Sequence, residues 1–595
     1  MGGNGSTGDA LLPRVRGVRS LLCQKVPMRD GIELEADVYL PAGRGPFPTV
    51  IIRTPYSRVE TLRMPVLKER PEQTLVDAFI AHGYALVSQD CRGKFGSDGR
   101  FVPLVYDTKD GQDTLDWVAH RPWCNGNVGM WGRSYLGIVQ VPAAIGGNEV
   151  LKCIVPSVHA ANYFTDWLRY DGCFGLANAV RWAYGSANSR VSPSDLVHAM
   201  VGRGHGAFWD RLYELGWRMG RDAMKEALGL FPNVLNDWVE HDRYDAYWAA
   251  IDQEPMHPKV RVPGLHGAGW FDHISRGQYV AYRNISDHGA TVEARAGQRM
   301  IVGPWGHTTI GLTGDAHRRY GEWDFGAEAD FPVFSYELQF LDYHLRGVDQ
   351  GFSASPKVKV FLMGENRWIG VDDWPPPDVQ PTSWYLNSSG AANTRTRDGR
   401  LARGLPAGQA TDSYTYDPSN PVPTLGGAIY WGMDDRVGPR DQRPLLSRGD
   451  ILLYRSEPLR QKLVVIGDIN LELFFGTDVQ DTDIVAKMCV EETNGAITVL
   501  SLGSLRCRYR DSWSEPSPLP RNEATHLRIR MGQLAYVFPV GARIALMITS
   551  SDFPRILPHP NTLAPTWSEA PPVVAHHWVS HGAEHPSRLV LPVIV

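Results

Sequence analysis

The chain has 595 residues, 43% hydrophobic and 21% charged, with a formal net charge of -5. This is globular composition, but too long for one core, because single cores stop growing at roughly 250–300 residues. No basic face for a nucleic acid and no apolar run of about 18 residues for a membrane span is present.

In chain order, the N-terminal stretch MGGNGSTGDALLPRVRG lacks the basic-then-apolar pattern of a signal peptide. Seven cysteines, an odd number without CxxC spacing, argue against a disulfide framework and for free thiols. Both features predict a cytoplasmic protein. Leu34–Leu40, Thr49–Arg53 and Ala85–Gln89 read as strands, with a helix at Leu75–His82 ending at Gly83. Strand–helix–strand alternation predicts a parallel sheet covered by helices. From about residue 160 to 250 the texture is helical, with periodic stretches at Ala207–Met219 and Arg221–Leu230 and no good strand. Strand-like runs resume at Val260–Leu265 and Met300–Val302, so the helical part interrupts one domain. From about Pro356 short strand-like runs alternate with turns, as a β-sandwich requires: Val358–Leu362, Ser383–Leu386, Leu452–Tyr454, Leu463–Ile466, Leu471–Phe475, Ile484–Val490, His526–Ile529 and Arg543–Ile548.

Val128–Gly137 reads as a strand ending at Gly132, a tight turn at Ser134, and an apolar helix. That is the context of a nucleophile elbow in an α/β-hydrolase. The helix start offers the Tyr135 N–H to a developing oxyanion. The pattern departs from G-x-S-x-G, because Leu136 stands where the second glycine falls. A serine needs a base to take its proton, and α/β-hydrolases place Ser, acid and His in that order. Asp272 in Gly267–Asp272 and His307 in Gly303–His307 each follow a strand-like run, at the sheet edge where such sites form. Taken singly, each has a bland reading as a turn residue or cap; the three in order point to acyl transfer.

The chain resembles the cocaine-esterase-like hydrolases, relatives of the X-Pro dipeptidyl peptidases, glutaryl-cephalosporin acylases and α-amino-acid ester hydrolases. The resemblance rests on Met28–Gly31, Ala36–Pro41, Arg53–Tyr56, Gln89–Gly93 with Gly96–Gly99, Gly132–Gly137, Gly269–Asp272 and Gly303–His307. In the last third it rests on Tyr416–Pro418, Asp481–Asp483, Arg508–Arg510 and Ser550–Pro554. The elbow matches the family's G-x-S-Y-x-G form. The resemblance implies an α/β-hydrolase domain (residues 1–160 and 253–354), an inserted helical cap (161–252) and a C-terminal jelly-roll-like β-domain (355–595). It implies Ser134 as nucleophile, His307 as base, Asp272 as orienting acid, and Tyr56 with the Tyr135 N–H as oxyanion hole. It implies no cofactor and no metal. The partner is a small ester or amide substrate, with neither nucleic acid nor membrane involved; a homo-oligomer is compatible with it.

The family's amino-ester hydrolases hold a substrate ammonium on carboxylates two and three residues after the triad aspartate. Here those positions are Ile274 and Ser275. The departure disfavours an ammonium substrate, since a buried charge needs a partner. Trp182, which resembles an acyl-pocket tryptophan, together with Trp167, Phe164, Tyr163 and Ile274, predicts an apolar or aryl acyl pocket. Asp166 and Asp171 are the acidic candidates for a cationic substrate group. The alternatives are an X-Pro dipeptidyl peptidase, an amino-acid ester hydrolase or acylase, and a carbohydrate-binding β-domain on an inactive scaffold. His576, His577, His581 and His585 have helical metal-ligand spacing, but Gly582 and Pro586 oppose a helix. The arginines at 506, 508 and 510 read as a solvated strand face. Asn387-Ser-Ser is a glycosylation sequon without a secretory signal to support its use.

Overall fold

The computed structural model describes residues 18–62, 74–186, 214–215, 221–228, 232–310, 318–394, 397–429, 436–568 and 571–594. The expected helix Ala207–Met219 lies outside them, apart from two positions.

The N-terminal strands are β1 (Arg19–Pro27), β2 (Glu33–Leu40), β3 (Phe47–Thr54), β4 (Ala85–Asp90), β5 (Cys124–Arg133) and β6 (Leu151–Ser157). A cap hairpin follows, β7 (Arg169–Tyr170) and β8 (Cys173–Phe174), then β9 (Leu265–Phe271), β10 (Arg299–Gly306), β11 (Arg319–Tyr320), β12 (Trp323–Asp324), β13 (Val358–Leu362) and β14 (Arg367–Val371). One sheet runs β1-β2-β4-β3-β5-β6-β9-β10-β13-β14. It is parallel from β4 to β13 and antiparallel at both ends. Its central strands are buried on both faces, as their unbroken apolar runs require. The helix Leu75–Ala81 starts on a capping box in which Thr74 and Asp77 satisfy each other's backbone, and Gly83 follows it at φ 81°.

Three readings need correction. The strand expected at Val260–Leu265 begins at Leu265 and runs to Phe271. Pro263 and the loop before it keep the earlier apolar residues in the core without a ladder, and only Gly264 makes a bridge. Val358–Leu362, expected in the β-domain, is β13: it pairs in parallel with Met300–Val302 of β10. Its flanking turns look alike in either sheet, so the sequence does not mark the difference. The cap also holds the β7–β8 hairpin, where no strand is expected.

The cap is otherwise helical, with a π-helical turn at Tyr163–Leu168 and helices at Leu176–Ser186, Arg221–Leu228, Asn233–Glu240 and Ala246–Ala249. Beyond β14 the chain is all β, in one continuous network of eleven strands. Leu463–Ile466 and Leu471–Phe475 are one strand, Leu463–Thr477, bent by a bulge at Ile469/Asn470. The histidine-rich segment is the strand Ala575–His581. Alternation turns His577 and His581 inward, to Thr477 and Asp412, and leaves His576 exposed, so the histidines share no metal-binding face. Arg506 and Arg508 are buried, not solvated, paired with Asp483 at 2.9 Å and Asp481 at 3.0 Å. The seven cysteines are free thiols, five of them buried. Among the described residues no helix is long and apolar enough to cross a membrane.

Three buried histidines lie in or beside the hydrolase sheet. Burial pushes the His159 imidazole down to about 4, and those of His257 and His266 down to about 3. Each is neutral in the folded state at neutral pH, whereas the unfolded chain protonates near pH ~6.5. Between those values the unfolded state binds more protons, so stability is complete above the unfolded value and falls as pH drops towards the folded ones. The melting temperature is expected to fall steadily between about pH 6 and pH 4. In His266→Gln the fall should be shallower. Equal slopes in scanning calorimetry would reject the assignment.

Candidate active site

Ser134 sits between β5 and the short helix Tyr135–Ile138 at φ 58° and ψ -128°, a strained conformation for a non-glycine residue. The strain lifts the hydroxyl off the sheet at its carboxyl edge. Glycines on either side make the turn possible. A Cβ on Gly132, itself at φ 153°, would meet the Leu136 Cβ at 2.5 Å; one on Gly137 would meet the Ser157 carbonyl oxygen of β6 at 2.8 Å. The displaced second glycine thus serves the close approach of the helix to β6.

The loops after β9 and β10 bring two groups to this hydroxyl. His307 Nε2 lies 2.9 Å from Ser134 Oγ, and His307 Nδ1 lies 2.8 Å from Asp272 Oδ1. The two strands are neighbours in parallel register, with Gly303 opposite Gly269, which sets the loops side by side. The Ile274 N–H donates to the same carboxylate at 3.3 Å. Burial raises the Asp272 carboxyl, but the facing His307 and the contacts of both histidines outweigh it and hold the group well below the usual carboxylate range. A buried anion on Nδ1 fixes the imidazole tautomer and leaves Nε2 as acceptor for the serine proton.

Tyr135 is the first residue of its helix, where backbone N–H groups lack intrahelical partners. Its side chain is pinned, donating to Asp107 at 2.8 Å and accepting from the Leu104 N–H at 3.0 Å. Tyr56 follows β3, and its ring meets that of Tyr135 edge-on with centroids 6.5 Å apart. The Trp182 indole N–H donates to the Tyr56 hydroxyl at 2.9 Å.

A narrow cavity opens at Ser134 and His307, walled by Tyr135, Ile138, Trp167, Trp182, His273 and Ile274. None of these walls is a carboxylate. The Trp182 ring stacks on Tyr135 at 5.9 Å and meets Trp167 edge-on at 5.0 Å. Trp167, Trp182 and Ile274 therefore line the cavity as expected. Phe164 does not: the π-helical turn points it away, into Tyr244, Trp248, Tyr509 and Trp513 at the junction of cap and β-domain. The two acidic candidates are also taken. Asp166 pairs with Arg276 at 2.5 Å, and Asp171 pairs with Arg530. Sequence reasoning missed Ile138 and His273; the latter stands next to Asp272, but nothing in its type separates it from a turn residue.

Fold and site together define a serine hydrolase of the α/β-hydrolase class. The sequence model of the X-Pro dipeptidyl-peptidase (S15) family matches residues 30–309, and that of the X-Pro dipeptidyl-peptidase C-terminal non-catalytic domain matches residues 350–590. The cocaine esterase of Rhodococcus sp. (strain MB1 Bresler) is 34% identical over 586 residues, covering 96% of this chain and 97% of that protein. The chain belongs to this S15 family of cocaine-esterase-like and X-Pro-dipeptidyl-peptidase-like hydrolases. Among solved structures it is similar to an α-amino acid ester hydrolase, with TM-score 0.82 and 26% identity over 99% of each chain. It is likewise similar to an aminopeptidase of a marine sediment Thaumarchaeota archaeon, with TM-score 0.80 and 25% identity over 100% of this chain and 99% of that one.

Proposed function

We propose that the protein hydrolyses an ester, or an amide, of a small acyl substrate through an acyl-enzyme on Ser134. The observation that carries this is the unbroken chain of contacts from Ser134 Oγ through His307 to Asp272. Ser134 attacks the carbonyl carbon as His307 Nε2 takes its proton. Asp272 stabilises the imidazolium, which then protonates the leaving group. Water repeats the sequence and releases the acid. The Tyr135 N–H and the Tyr56 hydroxyl receive the oxyanion. Accepting the Trp182 N–H sets the angle of the Tyr56 hydroxyl, so that its own proton is directed away from the indole.

The chemistry of the cavity walls favours an apolar or aryl acyl group. Trp167, Trp182, Ile138 and Ile274 give it apolar walls. A substrate ammonium, which an X-Pro peptidase or an amino-ester hydrolase must hold, finds no carboxylate on those walls, and Asp166 is engaged by Arg276, which it shares with Glu254. On esters sharing one leaving group, benzoyl-type acyl chains are expected to exceed α-amino-acyl chains in kcat/KM. The reverse order would favour the amino-ester reading. Tyr56→Phe is expected to lower the acylation rate by about 10²–10³, with little change in binding. A single-turnover rate equal to wild type would remove Tyr56 from the oxyanion hole.

The domain limits at 160/161, 252/253 and 354/355 go with this reading, and Val358–Leu362 and Arg367–Val371, just beyond the last of them, pair into the hydrolase sheet. Cytoplasmic placement accords with seven free thiols.

A further inference from the structure

Asp272 carries a second imidazole. His273 Nδ1 lies 3.2 Å from Asp272 Oδ1, the same oxygen that meets His307 Nδ1 at 2.8 Å. The two imidazole rings meet edge to face, with centroids 4.7 Å apart. All three side chains are buried, and one ligand atom from each lies within 4.8 Å of the others. The second carboxylate oxygen, Asp272 Oδ2, is also buried and accepts no hydrogen bond among the described residues.

Two imidazole nitrogens and one carboxylate oxygen are the donor set of three-ligand zinc sites that keep a fourth position open. Zinc bonds of about 2.0–2.1 Å in tetrahedral geometry put neighbouring ligand atoms about 3.3 Å apart; two of the three separations here are 2.8 and 3.2 Å, and the third lies within 4.8 Å. A cavity of ≈ 450 Å³ is lined in part by Asp272 and His273.

We propose that Asp272, His273 and His307 form an inhibitory site for a divalent transition-metal ion of zinc type. Coordination through His307 Nδ1 places the ring proton on Nε2. Nε2 then donates to Ser134 Oγ and cannot accept its proton. The proton count of the neutral ring is unchanged; only its position moves. The ion also takes the Asp272 oxygen that fixes the working tautomer. Magnesium and calcium, which prefer oxygen ligands, do not compete for such a site. The inhibitory effect rests on the proton-transfer role proposed for His307, whereas metal binding itself does not.

The test uses the full chain freed of metal by a chelator. Turnover of an aryl ester is titrated with zinc chloride and, separately, with magnesium chloride. Zinc is expected to inhibit reversibly, with recovery on adding EDTA, and magnesium to have no effect. In His273→Ala, and in His273→Gln, which keeps the side-chain volume, the zinc inhibition constant should rise by more than about tenfold. It is read as the ratio of rates with and without zinc, whatever the variant's own turnover. Ser134→Ala, which lacks the nucleophile, should still bind one zinc per chain in calorimetry, and Ser134→Ala combined with His273→Ala should not. Equal inhibition of wild type and the His273 variants, or no zinc bound by Ser134→Ala, would overturn the site. Zinc bound by Ser134→Ala with wild-type turnover unaffected would overturn the inhibitory role and count against His307 as the base.

Discussion

Ser134→Ala is expected to lower kcat by on the order of 10⁶ and to leave the fold intact. The attacking atom, 2.9 Å from His307 Nε2, is lost. The hydroxyl's contact to His307 is a site contact; the elbow itself is held by backbone, with the Ser134 N–H on the Ser157 carbonyl at 3.0 Å and the Ile138 N–H on the Ser134 carbonyl at 2.9 Å. An unchanged melting temperature together with a lost fluorophosphonate label is therefore expected. Residual rate above the uncatalysed reaction should persist, because the oxyanion donors remain. Full turnover in the variant would refute the assignment of Ser134.

Asp272→Asn is expected to cost about 10⁴ in kcat at neutral pH, an estimate taken from the same exchange in a serine protease of unrelated fold. The mechanism is tautomeric. The carboxylate accepts from His307 Nδ1–H at 2.8 Å, which leaves Nε2 without a proton. An amide presents an N–H instead, selects the opposite tautomer, and removes the charge that stabilises the imidazolium. Here the substituted amide would also face His273 Nδ1, 3.2 Å from the carboxylate, so both imidazoles are expected to re-pair. The loss should appear in kcat more than in KM, because the carboxylate stabilises a charge that develops during the reaction. Nuclear magnetic resonance of the ring protons would report the tautomer directly. A variant within tenfold of wild type would show that His307 keeps its orientation without the acid.

The elbow, the acid and the histidine were legible because each occupies a tightly constrained loop after a buried strand. At Gly132 and Gly137 a side chain has no room, and such positions leave a mark in the sequence. The pocket was only half legible. Trp167 and Trp182 reach the cavity, but Phe164 differs from Trp167 by three positions on a π-helical turn, and the sequence does not announce that turn. Charge pairing was the least legible property. Asp166, Asp171, Arg506 and Arg508 read as exposed or as substrate contacts, yet each meets an opposite charge distant in the chain.

By itself, then, the sequence determined most of the strands and helices, the nucleophile turn, and which three residues are candidates for acyl transfer, because these depend on local backbone space and on apolar runs. The tertiary structure alone decided that β13 joins the hydrolase sheet and that Arg276 pairs with Asp166 and Glu254. It alone decided that His273 shares the Asp272 carboxylate with His307. Those outcomes depend on which distant groups meet in a buried, low-dielectric place, and neither spacing nor composition encodes that meeting.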